Sequence, residues 1–308
     1  MDDELRRGGI TVLERGWLSS NNVLIHGDEN HGAEVVDTGY WIHAEQTVAL
    51  LRHALRGEPL VRVLNTHLHS DHCGGNSAVQ ASFGCPIDVP AGEAQAVDAW
   101  DEDALTYKAT GQHCPRFGRT GLLTAPSEIR VGRWRWQVLS SPGHDPRSVA
   151  LYQPEMALLL SADALWQNGF GVVFPELEGE SAFEDVAGTL DSFARLPVRW
   201  VVPGHGAPFC DAAAAIARAR RRLDSFVADP ARHALHAAKV LIKFRLLETQ
   251  AETWASLRQW LAGARYFDVV RRRYFEKMVA EDWLQELICD MASRGTLSIR
   301  DGLICNLD

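Results

Sequence analysis

The sequence predicts an α/β protein with a mostly helical C-terminal region. Through the first 210 of its 308 residues, short apolar strands alternate with segments of helical periodicity, an alternation that is typical of α/β folds. From residue 211 onward, helical patterns follow one another. The chain closes with two short apolar runs on either side of Asp301-Gly302, a dipeptide that favours a tight β-hairpin.

Four apolar strands in the first part of the chain end in turns that contain a histidine or an aspartate. We place these strands at residues 60–64, 134–139, 156–160 and 198–202. Helices are predicted between such strands at residues 44–55 and 181–196, and Ser181 with Glu184 has the pattern of a capping box for the second helix. Because the arrangement recurs four times, a functional site is expected where the strands end.

The last third of the chain contains a run of helices before the hairpin. We place these helices at residues 212–227, 232–247, 253–261 and 280–291. No strand is expected between them, and helices followed by a terminal hairpin indicate a winged-helix-like module. The sequence therefore predicts two domains, residues 1–210 and residues 211–308.

Charge and composition exclude several classes of protein. Residues 1–210 carry 15 basic and 27 acidic side chains and residues 211–308 carry 16 and 13, so that the net charge of −9 divides into −12 and +3. This balance argues against nucleic acid as a partner. No apolar run reaches the roughly 18 residues of a transmembrane helix and the first residues lack the apolar stretch of a secretory signal, so we expect a cytoplasmic protein without membrane contact. The six scattered cysteines are expected to be reduced thiols.

His67, His69, Asp71 and His72 form a cluster of metal-binding residue types. In an extended chain, His67 and His69 project to the same side and can reach one ion. Asp71 and His72 follow as the backbone turns before a glycine pair, and they can address a second ion. Imidazole and carboxylate without thiolate favour Zn²⁺, although Fe and Mn accept the same donors, so we expect two divalent ions per chain. The other strand ends supply three more candidate ligands, His144, Asp163 and His205.

The segment 66–76, Thr-His-Leu-His-Ser-Asp-His-Cys-Gly-Gly-Asn, resembles the signature of the metallo-β-lactamase superfamily, and especially of its glyoxalase II-like branch. The later motifs Pro-Gly-His144, Ala-Asp163 and Pro-Gly-His205 are similar to the remaining ligand motifs of that superfamily, in the same order. The resemblance covers roughly residues 10–210. It implies a four-layer αββα sandwich with the site at one edge of two β-sheets.

The same resemblance implies a role for each candidate ligand. Asp37, in a segment similar to an early strand and turn of the family, would support the site through its contacts with a ligand. The resemblance divides the metal ligands into His67, His69 and His144 for one ion, Asp71, His72 and His205 for the other, and Asp163 as the bridge between them.

These features predict a metal-dependent hydrolase of a small acyl ester or thioester, similar to glyoxalase II. Two ions that share a water lower its pKa toward about 7, which provides metal-bound hydroxide as the nucleophile, and Asp71 would be the catalytic carboxylate that orients it. One ion can also stabilise the oxyanion formed from the substrate carbonyl. Trp166, Tyr107 and Phe170 are expected to line the pocket for a small acyl substrate. Glutathione dependence and a homodimer are left open.

Two other activities of the superfamily remain as alternatives. Lactonases of acyl-homoserine lactones resemble this ligand set, but they tend to carry a tyrosine three residues after the bridging aspartate, where this chain has Trp166. A branch that includes an RNA endonuclease combines the fold with a winged-helix-like tail, and the arginines within residues 218–222 and 271–273 would then contact RNA. The charge of −12 on residues 1–210 argues against this second alternative.

Overall fold

Two mixed β-sheets packed face to face form the centre of the protein, for which a computed structural model describes residues 2–307. In the first sheet, strands β1 to β3 are antiparallel and β3 to β6 are parallel, in the order β1-β2-β3-β4-β5-β6. In the second, with the order β11-β10-β9-β8-β7, the pairing is antiparallel except between β10 and β11. The strands of the first sheet are β1 Ile10–Leu13, β2 Asn22–Ile25, β3 Ala33–Val36, β4 Leu60–Leu64, β5 Ile87–Pro90 and β6 Gly121–Leu123, and those of the second are β7 Ser127–Val131, β8 Trp134–Ser140, β9 Val149–Gln153, β10 Leu158–Ala162 and β11 Trp200–Pro203.

Helices cover both outer faces of this pair of sheets. None of the helices in residues 2–307 has the length and apolar character that crossing a membrane requires. Their bounds in the first part of the chain are α1 Asp2–Arg7, α2 Ala44–Leu55, α3 Ser70–Cys73, α4 Asn76–Phe83, α5 Ala94–Ala99, α6 Tyr107–Thr110, α7 Phe174–Glu178 and α8 Phe183–Ala194. Those in the last third are α9 Ala212–Ala228, α10 Pro230–Thr249, α11 Trp254–Gly263, α12 Arg265–Tyr274 and α13 Ala280–Ser293.

The period of two along the strands divides the apolar side chains between layers. In β10, Leu158 and Leu160 belong to the core between the sheets, whereas Leu159 belongs to the core under α8 and α9. In β3, Val36 faces the other sheet and Val35 packs under α2 and α4. The order of layers is therefore helix, sheet, sheet, helix, and the predicted αββα sandwich is confirmed.

The last third of the chain forms an apolar core of its own. Helices α10 to α13 surround it, beside a sheet of three strands in the order β12-β14-β13. The predicted hairpin is confirmed, because Asp301 (φ 51°) and Gly302 (φ 77°) both have the positive φ of a type I′ turn. The expectation of no strand among the helices is wrong, since β12 pairs with β14. The strands are β12 Ala251–Thr253, β13 Leu297–Arg300 and β14 Leu303–Asn306.

Two further features of the helices differ from the prediction. Ser181 does not cap α8; the amides of Ala182 and Phe183 instead donate to Oε1 of Glu176, at 2.7 and 2.8 Å. Helix α9 packs with α8 against the second sheet, so the core of the sandwich extends past residue 210. The domain boundary at that residue stays a prediction.

Candidate metal centre and its cavity

The candidate metal ligands lie where strands end, at one edge of the two sheets. His67 and His69 come after β4, His144 after β8, Asp163 after β10 and His205 after β11. All five side chains are buried. The structure thus brings the predicted strand-end residues together at this edge.

Hydrogen bonds between backbone groups join these turns across the two sheets. The amide of Val149, at the start of β9, donates to the carbonyl of Thr66 at 2.8 Å. The amide of Asn21, before β2, donates to the carbonyl of Gly204 at 2.7 Å. Each bond joins the first sheet to the second at the edge where the candidate ligands lie.

The seven side chains form two neighbouring groups. Within each group, the potential ligand atoms all lie within 4.8 Å of one another. Asp163 lies between the groups, with Oδ1 at 3.4 Å from Nε2 of His72 and Oδ2 at 3.5 Å from Nε2 of His144. That is the place a bridging carboxylate requires. The groups are His67, His69 and His144 on one side, and Asp71, His72, Asp163 and His205 on the other.

Hydrogen bonds on the outer side of three histidines fix which nitrogen carries the proton. Nδ1 of His72 donates to Oδ2 of Asp37 at 2.8 Å, and Nδ1 of His144 donates to the carbonyl of Val172 at 2.5 Å. Nδ1 of His67 is 3.1 Å from Oγ1 of Thr66, whose hydroxyl donates to Asp37. In the neutral form of each ring, Nε2 then carries the lone pair, as metal ligation requires.

Asp37 supports both groups of candidate ligands. Its carboxylate accepts the Nδ1 hydrogen bond of His72 directly, and it reaches His67 through the hydroxyl of Thr66, which is 2.7 Å from Oδ2. The backbone amide of Thr66 donates to Oδ1 at 2.9 Å. The predicted position of Asp37 behind the ligands agrees with these contacts, which orient one histidine of each group.

The electrostatic environment differs between the two groups. Burial lowers the pKa of His69 and of His144 to about 4, so both rings are neutral at neutral pH. At His72, burial also lowers the pKa, but the carboxylates of Asp163 and Asp37 outweigh it and raise the pKa well above the ordinary value. The second group therefore attracts positive charge, whereas the first offers neutral nitrogen donors.

The unsatisfied atoms at this centre fit metal ions. Nε2 of His67 and Nε2 of His72 are buried without a hydrogen-bond partner, a condition that is rare among buried polar atoms. Nε2 of His72 lies 3.4 Å from Oδ1 of Asp163, and the ring of His67 packs on that of His72 with centroids 4.0 Å apart. Imidazole and carboxylate donors around such atoms suit Zn²⁺, Fe or Mn. The two groups thus support a dinuclear site for divalent metal ions.

A cavity of about 540 Å³ opens from this centre. The side chains of His69, Asp71, His144, Asp163 and His205 line one end of it. Another wall of the cavity belongs to the C-terminal region and consists largely of residues of α10. The residues of that wall are Arg222, His236, Val240, Leu241, Lys243, Phe244 and Leu247.

A comparison with protein families decides the affiliation of the chain. Residues 15–205, more than half of the sequence, match the model of the metallo-β-lactamase superfamily. The chain belongs to this superfamily.

Relatives within the superfamily show how far the likeness extends. A hydroxyacylglutathione hydrolase of Synechococcus sp. (strain JA-3-3Ab) is 30% identical over 189 residues, which are 61% of this chain and 64% of that protein. The chain thus spans less than two thirds of the length of the first curated relatives it matches. Among solved structures, a metallo-β-lactamase family protein from Thermus thermophilus has a TM-score of 0.57 at 19% identity and covers 97% of this chain and 99% of its own, which shows a shared fold. The protein TTHA1623 in a di-iron-bound form has a TM-score of 0.50 at 25% identity and covers 66% of this chain and 96% of its own.

Two glycines of this metallo-β-lactamase site are required by close packing. A Cβ atom at Gly204 would lie 2.1 Å from Oδ1 of Asp163 and 2.9 Å from the ring of His72. A Cβ atom at Gly171 would lie 2.4 Å from Nδ1 of His144. All three distances are shorter than van der Waals contact, so a side chain at either position would displace a candidate ligand.

The three aromatic residues predicted for the pocket have different positions. Trp166 lines the cavity, and its indole N–H donates to Oδ1 of Asp163 at 3.2 Å, a contact that the sequence did not indicate. Tyr107 and Phe170 are 1% exposed and, in the structure of residues 2–307, are core residues outside the cavity lining. Tyr107 packs among the side chains under α2 and α4 and contacts Cys73, whereas Phe170 packs against Phe226.

Two further aromatic side chains line the cavity. Trp17 is 57% exposed, and its ring stacks on that of His205 with centroids 5.5 Å apart. Phe174 contacts His69 edge to face, with the ring centroids 5.2 Å apart, and it stacks on Tyr266 of α12. No local pattern in the sequence marks these two side chains, because tertiary packing decides which aromatic residues reach a cavity.

Proposed function

We propose that this protein hydrolyses a small acyl ester or thioester with the help of two divalent metal ions. The observation that carries the proposal is the position of the seven candidate ligands at the end of a cavity whose other wall is largely apolar. A carbonyl placed at the ligand end would have its acyl chain along the face of α10. Membership of the metallo-β-lactamase superfamily agrees with such a reaction.

The candidate ligands would hold the two ions in the division already described, with Asp163 between them. When bound, the ions supply a water of lowered pKa and a Lewis acid for the substrate carbonyl. We favour Zn²⁺ for these donors, and Fe or Mn is compatible with them. No serine or cysteine nucleophile is needed in this scheme.

Asp71 is the residue that we assign to orienting the attacking water. Its side chain lines the cavity, and Oδ2 accepts a hydrogen bond from Nε2 of His205 at 3.1 Å. Burial raises the pKa of Asp71, but the hydrogen bond from His205 and the charge of nearby histidines lower it below the ordinary value. The carboxylate is therefore ionised, and Oδ1 can accept a hydrogen bond from the water and fix its direction of attack.

The names of the relatives and the contact made by Trp166 support the choice of an acyl thioester as the substrate linkage. Curated relatives are named hydroxyacylglutathione hydrolases, and this supports an acyl-thioester-like substrate. A lactone remains the second candidate, because the same centre suits a cyclic ester. The indole N–H of Trp166 is engaged with Asp163, so this residue would pack against the substrate rather than donate to its carbonyl.

Parallel assays of the purified protein test this proposal. We expect turnover of an acyl thioester of N-acetylcysteamine or of an acyl-homoserine lactone, about two metals per chain by elemental analysis, and no cleavage of single-stranded RNA. His69→Ala should lose both metal and activity, whereas His53→Ala, which changes an exposed histidine of α2, should lose neither. Salt-sensitive RNA cleavage without turnover of thioester or lactone would overturn the proposal in favour of the endonuclease alternative. The cytoplasmic location stays a prediction.

A further inference from the structure

One arginine stands out in the part of the cavity wall that the C-terminal region forms. Arg222 belongs to α9, within the run of arginines at 218–222 that resembles a solvated helix face in the sequence. The structure separates the members of this run. Arg221 is exposed, whereas Arg222 turns inward and lines the same cavity as the metal ligands.

The hydrogen bonds of Arg222 are incomplete for a guanidinium in such a place. Its Nη2 donates to Nε2 of His236 at 2.6 Å, and within residues 2–307 this is the one acceptor that it reaches. None of the ion pairs in that part of the chain includes Arg222. A guanidinium has five N–H donors, so most of the hydrogen-bonding capacity of Arg222 is unused by the protein.

Arg15 provides the internal comparison. The side chains of Arg15 and Arg222 are both half-buried, and burial lowers the pKa of each. Arg15 compensates with hydrogen bonds to Asn22, Gln46 and Thr47 at 2.7 to 2.8 Å. Arg222 has no comparable set of acceptors, and its charge instead faces a cavity that can hold a ligand.

The position of the Arg222 guanidinium is fixed by its neighbours. It lies over the rings of Phe170 and Phe226, at 5.6 and 5.4 Å from the ring centroids. Burial, followed by the charge of Arg222, lowers the pKa of His236 to about 3, so this histidine is a neutral acceptor that does not satisfy the charge. The group is therefore held in place before a ligand binds, and this reduces the entropy that binding costs.

We propose that Arg222 binds a carboxylate on the substrate, so that the preferred substrates are acyl compounds that carry a carboxylate at the end remote from the scissile bond. The planar fork of a guanidinium matches the two oxygens of a carboxylate. A single guanidinium balances one negative charge, and a carboxylate has one. The inference rests on the proposed hydrolysis and adds the substrate class to it.

Matched pairs of substrates test this inference on the metal-loaded, full-length protein. Glutaryl, adipoyl and suberoyl thioesters of N-acetylcysteamine are compared with the pentanoyl, hexanoyl and octanoyl thioesters of the same lengths. We expect kcat/KM to be higher for the carboxylate member of at least one pair. Arg222→Met keeps the apolar stem and should lower kcat/KM for that substrate about 30-fold or more, mainly through KM, and less than about threefold for its uncharged partner. Arg221→Met is the matched control and should change neither value.

A second measurement separates failure of this inference from failure of the proposed function. Binding of adipate and of hexanoate is measured by isothermal titration calorimetry with wild type and with Arg222→Met. Tighter binding of adipate that is lost in Arg222→Met supports the carboxylate site even if no thioester is hydrolysed. Turnover that ignores the terminal carboxylate, or an equal loss for both members of each pair in Arg222→Met, overturns the inference while the hydrolase proposal stands.

Discussion

The two ends of the cavity are built in opposite ways. At the metal end, polar side chains from four strand ends are buried together, and neighbouring loops orient them through hydrogen bonds such as that from His72 to Asp37. At the other end, one helix face supplies apolar side chains, and the charge of Arg222 is left without a carboxylate partner. Under the proposed function, the first 210 residues would provide the chemistry and the C-terminal region would select the substrate.

The largest effect is expected from removing the carboxylate between the two groups of ligands. Asp163→Ala takes away the atoms that lie within 3.5 Å of His72 and His144, so both ions should bind more weakly and activity should fall by about 1,000-fold or more. Elemental analysis and thioester turnover measure this. Asp224→Ala, an exposed change on α9, is the control and should retain both metals. Full metal content in Asp163→Ala would contradict the assigned bridge.

A smaller effect is expected at Asp37, which orients two of the candidate ligands through hydrogen bonds. Asp37→Asn keeps the size of the side chain but removes the charge that orients His72 and, through Thr66, His67. Metal affinity should fall about 10- to 100-fold with the fold retained. Competition with a chelator measures the affinity, and circular dichroism checks the fold. An unchanged affinity would show that the backbone alone positions these rings.

The C-terminal region can be tested through the pH dependence of the free energy of unfolding. His233 of α10 is 2% exposed, its Nε2 accepts from the amide of Val173 at 3.1 Å, and burial lowers its pKa to about 4. The unfolded chain has a histidine pKa near 6.5, so the stability that this neutral ring contributes above that pH is lost as the pH falls toward 4.

At about pH 5 this linkage lowers the free energy of unfolding by about 2 kcal/mol relative to neutral pH. In His233→Gln, which keeps an acceptor that does not titrate, that part of the acid sensitivity should disappear. Urea unfolding of both proteins at the two pH values measures the difference. Identical pH dependence in the two proteins would refute the assignment.

The smallest effect is expected at Trp166, which lines the cavity beside Asp163. Trp166→Phe keeps an aromatic ring but removes the N–H that donates to Asp163. Since one hydrogen bond of about 1 kcal/mol is lost, kcat should fall about fivefold with little change in KM. Trp166→Ala also removes the packing surface and should raise KM in addition. Steady-state kinetics of the two variants separates these contributions. A change confined to KM in Trp166→Phe would assign the indole to substrate binding alone.

The sequence predicted those features that depend on neighbouring residues. Helix α2 has the predicted bounds, the Asp301-Gly302 turn forms the expected hairpin, and the strand ends carry the candidate ligands. Each depends on local periodicity, turn chemistry or the spacing of a motif, and all three act within a few residues of the chain.

Features that depend on distant parts of the chain were missed. The three residues of β12 become a strand only because β14, about fifty residues later, pairs with them. The start of α8 is capped by Glu176 rather than by Ser181, because the carboxylate of this residue in the preceding helix accepts the hydrogen bonds of the first amides. Phe170 and Trp166 lie in one loop, and only tertiary packing decides that one is in the core and the other in the cavity wall.

Gly204 shows how strongly a residue without a side chain can be constrained. Its hydrogen atom occupies the place where any Cβ would press on Asp163 and His72. A library of substitutions selected for activity should therefore be as intolerant at this position as at the ligands themselves. Natural variation here would then be limited by the space that the carboxylate and the imidazole leave between them, although Gly204 contributes no functional group to the reaction.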